Sequence, residues 1–178
     1  MSKRKAVFLD RDGVVNQPPP EGWYVTAVAD LVLLPGAADA ITRLNRCGFV
    51  VVIVTNQRCI ARGIASAEIV ANIHERLLQE VEAHGGRIDR IYVCPHDDHE
   101  ACDCRKPKPG MLRRAEREFE LDLRSCWMVG DKESDVLAGQ GAGCRTIRVN
   151  PTNHGDANYV CRSLPEAVNI ILAADAGE

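Results

Sequence analysis

No stretch of this 178-residue chain is long and apolar enough to cross a bilayer. It also lacks a long run of one charge, and its net charge is only −3. Binding to nucleic acid or to a membrane surface therefore has no electrostatic support. Internal repeats and low-complexity linkers are missing, and no insertion is long enough for a second domain, so residues 1–178 are expected to form one domain. A signal peptide is not expected, because the apolar run after the basic Met1 to Lys5 start is broken by Asp10. No dimerisation stripe stands out beyond ordinary core helices, which leads to the expectation of a monomer. What remains is 46% hydrophobic and 26% charged, ordinary for a globular protein with a core of its own. Eight cysteines would suggest disulfides in an exported chain. In a cytoplasmic one, which is the expectation here, they suggest reduced thiols and a metal site.

Strand and helix signals alternate along the chain. Ala6-Val7-Phe8-Leu9 reads as a buried strand running into Asp10-Arg11-Asp12-Gly13-Val14. Asn16 to Val25 holds three prolines and a glycine, which excludes a regular helix and predicts a loop arching over that strand's end. Glu21, Gly22, Trp23 and Tyr24 on this loop are candidates to wall a substrate pocket. Pro35-Gly36 opens a helix to Arg46, and Phe49 to Val54 is a β-branched run expected to be buried on both faces. Ser66 caps a predicted helix to about His84, with Ile69, Ile73, Leu77 and Val81 as its apolar stripe. His74 and His84 are read as solvent-facing. Ile88 to Val93, Trp127 to Val129 and Thr146 to Val149 follow as strands. A final helix starts at Leu164, with Ser163 and Glu166 as a capping box. The alternation predicts an α/β fold, a doubly wound parallel sheet with helices on both faces and essentially no cap.

Ligands in such sheets bind at the carboxyl ends of strands. Asp10 and Asp12 end the first strand, Thr55-Asn56-Gln57-Arg58 the second, and Gly130-Asp131 through Asp135 the fourth; Lys106 precedes a helix. Two carboxylates there can attack and move protons, while Thr55, Asn56 and Lys106 can hold phosphoryl oxygens. A carboxylate attacking phosphorus needs a cation, and a hard ion such as Mg²⁺ suits Asp10 with Asp131. Separately, Cys94-x-His96-x5-Cys102-x-Cys104 offers three thiolates and one imidazole, a closed tetrahedral Zn²⁺ set of structural type spanning residues 94–104. His99 competes with His96 as the nitrogen ligand, and His96 is favoured because it follows Cys94 at a strand end. Zinc there would stiffen a polar loop and fix Arg105 and Lys106. Arg105 would then grip a second anionic group on the substrate.

Phe8-Leu9-Asp10-Arg11-Asp12-Gly13, Val54-Thr55-Asn56, Lys106-Pro107 and Gly130-Asp131 to Asp135 resemble the four motifs of the haloacid dehalogenase superfamily. The resemblance implies that Asp10 is a nucleophile forming an aspartyl-phosphate, and that Asp12 protonates the leaving oxygen and then activates water. It further implies Mg²⁺ on Asp10, Asp131 and the backbone carbonyl of Asp12, with Asp135 acting through metal-bound water and Lys132 adding a backbone contact. Thr55-Asn56-Gln57, Ile60-Ala61-Arg62-Gly63, Cys94-Pro95-His96, Cys102 to Pro107 and Pro109-Gly110-Met111 are similar to the D-glycero-D-manno-heptose 1,7-bisphosphate 7-phosphatase family, while the five-residue gap between His96 and Cys102 and the proline-rich loop after Asn16 resemble the histidinol-phosphate phosphatases at least as well. The expected partner is thus a small phosphorylated sugar. Histidinol-phosphate phosphatases, which share the zinc loop, are the alternative, and a zinc-stabilised binding module without catalysis is a third reading. Arg58-Cys59 departs from the Ser-Gly usual in the heptose group, beside Asn56.

Overall fold

The structure, a computed structural model, describes residues 3–150 and 155–177. Six parallel strands form one sheet: β1 (Ala6–Leu9), β2 (Val50–Asn56), β3 (Arg90–Cys94), β4 (Trp127–Gly130), β5 (Arg145–Val149) and β6 (Tyr159–Cys161). Their order is β3-β2-β1-β4-β5-β6, with the direction of winding reversing between β1 and β4. Five α-helices, α1 (Ala37–Arg46), α2 (Ala67–Ala83), α3 (Gly110–Phe119), α4 (Glu133–Ala142) and α5 (Leu164–Asp175), cover the two faces.

The period-two rule of strands splits β1 between two cores. Val7 and Leu9 face one with Ile41, Leu44, Ile73, Leu77 and Ile171, while Ala6 and Phe8 face the other with Met111, Leu112 and Ala115. All four β1 residues are fully buried, which is why the run reads as unbroken apolar sequence. Among the described residues the β1–α1 connection is loop with a single 3-10 turn, and no cap is inserted there. The proline-rich strap is tied at its base by Gln17 N–H to the Val32 carbonyl at 2.8 Å and Leu34 N–H to the Val15 carbonyl at 2.9 Å.

Several expectations shift. The second strand runs on through Thr55 and Asn56, pairing Asn56 with Cys94. The third starts at Arg90, because Asp89 turns its own carboxylate to the Val51 N–H at 2.8 Å before the ladder begins. On α2 the buried arc is Val70, Ile73, His74, Leu77 and Val81, whereas Ile69 is exposed. The helix is rotated so that Val70 packs on Cys59 and Ala65. That rotation carries His74, one turn further on, inward; its solvent-facing assignment is corrected, while His84 is exposed at the C-cap. At α5 Ser163 caps the Glu166 N–H, but Glu166 accepts from the Arg162 N–H at 2.9 Å instead of closing a box on Ser163.

Candidate active site

The strand ends predicted to carry the chemistry meet at the reversal point. Asp10 continues β1 and donates its N–H to the Val129 carbonyl of β4 at 2.9 Å. Gly13 has φ +87°, and a Cβ on it would stand 2.5 Å from Asp131 Oδ2, so the turn needs glycine for both conformation and space. Asp10, Asp131 and Asp135 can each direct an oxygen into one cluster within 4.8 Å of one another. Lys106 is buried between two of them, its Nζ 2.8 Å from Asp10 Oδ1 and 2.6 Å from Asp135 Oδ1.

Burial raises Asp10; Lys106 opposes this, Asp135 and Asp131 add to it, and the carboxyl ends at about 7. Asp131 is likewise raised, by burial first and then by Asp135. Burial alone would lower Lys106, yet the Asp10 and Asp135 carboxylates hold it above its ordinary range and therefore charged. The Asp131 Oδ1 atom is buried without a hydrogen-bond partner. Three hard oxygen donors, mutually repelling, with Asp131 Oδ1 lacking both a hydrogen bond and an ion pair among the described residues, fit a small divalent cation such as Mg²⁺.

Asp12 stands apart from that cluster and is saturated by donors. Oδ1 accepts from Arg11 Nε (3.1 Å), Arg11 Nη2 (2.9 Å) and Asn16 Nδ2 (2.9 Å). Oδ2 accepts from Arg11 Nη2 (3.0 Å) and Gln57 Nε2 (3.1 Å). Burial would raise Asp12, but the Arg11 guanidinium and these hydrogen bonds outweigh it and hold the carboxyl below its usual value. Oδ2, with two donors against three, is the oxygen with room for a proton.

The other predicted residues arrange themselves around Lys106. Asn56 Nδ2 donates to the Lys106 carbonyl at 3.0 Å, and Lys106 N–H donates back to Asn56 Oδ1 at 3.1 Å, latching the end of β2 to the loop that precedes α3. Gln57 is buried and also donates to Thr55 Oγ1 at 2.9 Å, so it braces Thr55 and Asp12 instead of facing open solvent. Lys132 is the N-cap of α4, its N–H donating to Asp135 Oδ2 at 3.0 Å. Arg58 and Arg105 converge on Asp98: Arg58 Nη1 lies 2.8 Å from Oδ2 and Arg105 Nε 2.7 Å from Oδ1. Tyr24 reaches this group through its hydroxyl, which accepts from Arg58 Nε at 2.8 Å. Glu21, Gly22 and Trp23 are exposed, Trp23 by 72%. A cavity of about 610 Å³ adjoins Gly13 and Asp131 on the opposite side, toward Arg148 and Ser163. Arg11, Asn16 and Asp98 were given no role from sequence and His74 was assigned to solvent; only a charge set between the two acids of the first motif hinted at Arg11.

Cys94, His96, Cys102 and Cys104 converge as the spacing predicts. Cys94 Sγ lies 3.1 Å from Cys104 Sγ and 3.8 Å from Cys102 Sγ, and His96 Nδ1 is 3.3 Å from Cys104 Sγ. A tetrahedral ion with metal–sulfur bonds of about 2.3 Å would separate its sulfurs by about 3.8 Å, so the donor set closes on one ion with little movement. Cys104 is followed by Arg105 and Lys106, and a Cβ on Gly110 would stand 2.1 Å from the Asp103 carbonyl. The start of α3 thus backs directly onto the loop.

Comparison with known proteins places this geometry in a lineage. A family model described as "HAD-hyrolase-like" matches residues 103–167. The D-glycero-beta-D-manno-heptose-1,7-bisphosphate 7-phosphatase of Pseudomonas putida is 38% identical over 176 residues, covering 98% of this chain and 98% of that protein. The enzyme of the same name from Bordetella bronchiseptica is 37% identical over 93% of this chain and 91% of its own length. A crystal structure of D,D-heptose 1,7-bisphosphate phosphatase from B. bronchiseptica, complexed with magnesium and phosphate, superposes with a TM-score of 0.88 at 33% identity, covering 96% and 99% of the two chains. The chain belongs to the D-glycero-beta-D-manno-heptose-1,7-bisphosphate 7-phosphatase family of haloacid dehalogenase-like hydrolases.

Proposed function

We propose that this protein is a Mg²⁺-dependent phosphatase that removes the 7-phosphate of D-glycero-D-manno-heptose 1,7-bisphosphate through an aspartyl-phosphate on Asp10. The observation that carries the reading is the convergence of Asp10, Asp131, Asp135 and Lys106 at one strand-end cluster, latched by Asn56. Asp10, Asp131 and the Asp12 backbone carbonyl would hold Mg²⁺, with Asp135 behind them. When bound, the ion screens the phosphoryl charge from the attacking carboxylate.

Asp10 attacks phosphorus while the bond from phosphorus to the sugar oxygen breaks, and Asp12 delivers a proton to that oxygen. Asp12 then takes a proton from water as it attacks the aspartyl-phosphate, releasing inorganic phosphate and restoring Asp10. The substrate-free geometry keeps Asp12 ionised, the form needed for this second step, so the proton it gives to the leaving oxygen is taken up from solvent as the substrate binds. Thr55, Asn56 and Lys106 bind the transferring phosphoryl oxygens, and Gln57 aligns Asp12. Arg105 and Arg58, with Tyr24 beside them, receive the second phosphate in place of Asp98. The Glu21 to Tyr24 strap forms the pocket's outer wall. Cys94, His96, Cys102 and Cys104 hold a structural Zn²⁺ that stiffens the loop carrying both cations.

Acting as a single domain and a monomer in the cytoplasm, the enzyme would serve nucleotide-activated heptose synthesis for lipopolysaccharide or capsule. The relatives named above carry the β anomer in their names, which makes β-heptose bisphosphate the first substrate to try. The test is phosphate release with Mg²⁺ from α- and β-heptose 1,7-bisphosphate and from histidinol phosphate, side by side, with Asp10→Asn as the inactive control. Preference for histidinol phosphate would overturn the substrate assignment and leave the catalytic one intact.

A further inference from the structure

His74 lies outside the four motifs, on the middle of α2, yet it is only 7% exposed and points at the most deeply buried charge of the site. Arg11 is fully buried and faces two groups: the Asp12 carboxylate through Nε and Nη2, and His74 Nε2 through Nη1 at 3.0 Å. An arginine can only donate, so Nε2 is the acceptor and the ring is neutral with its proton on Nδ1. Burial and the neighbouring guanidinium both disfavour the protonated ring, in keeping with this arrangement. Without His74, a buried guanidinium N–H loses its acceptor. The guanidinium would then turn toward another partner, and the carboxylate it grips on three bonds would turn with it.

We propose that His74 is a positioning residue for phosphoryl transfer: through Arg11 it fixes the orientation of the Asp12 carboxylate relative to the leaving oxygen. The inference rests on the reading of Asp12 as the proton donor, and the chemistry of that role supplies the test. A sugar alkoxide needs a proton as it departs, whereas p-nitrophenolate does not. For kcat/KM, which reports formation of the aspartyl-phosphate, misplacing Asp12 should therefore penalise the sugar phosphate selectively. A general loosening of the site would penalise both substrates.

The experiment compares kcat/KM of the Mg²⁺-loaded, full-length protein on heptose bisphosphate and on p-nitrophenyl phosphate for His74→Leu, His74→Gln and Asp12→Asn. His74→Leu is expected to lose about tenfold or more on the sugar substrate and less than about twofold on p-nitrophenyl phosphate. His74→Gln, whose side-chain oxygen can accept from Arg11, is expected to recover to within about threefold of the wild type. Equal losses on both substrates would overturn the proposal, as would an unaffected His74→Leu alongside an Asp12→Asn that shows the bias. If Asp12→Asn shows no bias, the reading of Asp12 itself fails and the inference falls with it. Should His74→Leu not fold, His74→Asn, polar but too short to reach Arg11, takes its place under the same criteria.

Discussion

Replacing Asp131 by asparagine should make the Mg²⁺-free protein more stable while abolishing its response to Mg²⁺. The three carboxylates of the cluster can bring oxygens within 4.8 Å of one another. At an effective dielectric constant near 20, two charges at such a distance repel by roughly 3 kcal/mol. Lys106 is ion-paired to Asp10 and Asp135, whereas Asp131 Oδ1 is buried with neither that ion pair nor a hydrogen-bond partner. Asparagine keeps the shape and supplies a donor toward its neighbours. Against the relieved repulsion stands the lost attraction to Lys106 and Lys132, so a net gain of about 1–3 kcal/mol is expected. In a chain of this size that corresponds to a rise in Tm of about 3–10 °C. Mg²⁺ at a thousandfold excess over its Kd stabilises the wild type by about 4.1 kcal/mol and should reverse the order of the two proteins. Thermal and urea melts with Mg²⁺ omitted, and not chelated, leave a thiolate-bound ion in place during the comparison. A variant that melts below the wild type without Mg²⁺, or that gains as much from Mg²⁺, would refute the reasoning.

Two other perturbations follow from the same electrostatics. His74 is held down to about 4 against 6.5 when unfolded, so its contribution to stability is present above pH 6.5 and is lost as pH falls toward 4. Asp10, raised to about 7, runs the opposite way across an overlapping window. The readable quantity is therefore the stability difference between wild type and His74→Gln by urea melts, which should shrink in the variant's favour by roughly 3 kcal/mol between pH 7 and pH 4. Cys104→Ser should lower bound zinc well below one ion per chain by elemental analysis and weaken substrate binding through Arg105 and Lys106; full zinc content would refute the ligand assignment.

The positions of the catalytic strand ends were legible in the sequence because β1 and β2 are buried on both faces, so hydrophobic run and polar terminus are sharply divided. The Cys94, His96, Cys102 and Cys104 set was legible because its ligands lie on one short loop and need no long-range folding to meet. His74 was not. A rotation of α2 by one residue decides its exposure, and that rotation is set by Val70 packing on Cys59 and Ala65 of the irregular turn leading into the helix, whose path a helical pattern does not reveal. Asp98 escaped for a related reason: Arg105 is seven residues on along the same loop, but Arg58, its other partner, comes from beyond the end of β2. Sequence shows the charge of such a residue and hides its partner.

The reciprocal pair between Asn56 and Lys106 has a consequence for durability. It makes the tip of β2 and the segment following Cys104 move as one body. Oxidative damage and turnover are thereby joined, although the sulfur set is separate from the Asp10, Asp131 and Asp135 cluster. A two-electron oxidation closing a disulfide between Cys94 and Cys104 would drag Cys104, and Lys106 two residues on, out of register with Asn56. On the proposed mechanism, an enzyme with an aspartate nucleophile would thus age, in air, as though its nucleophile were a cysteine.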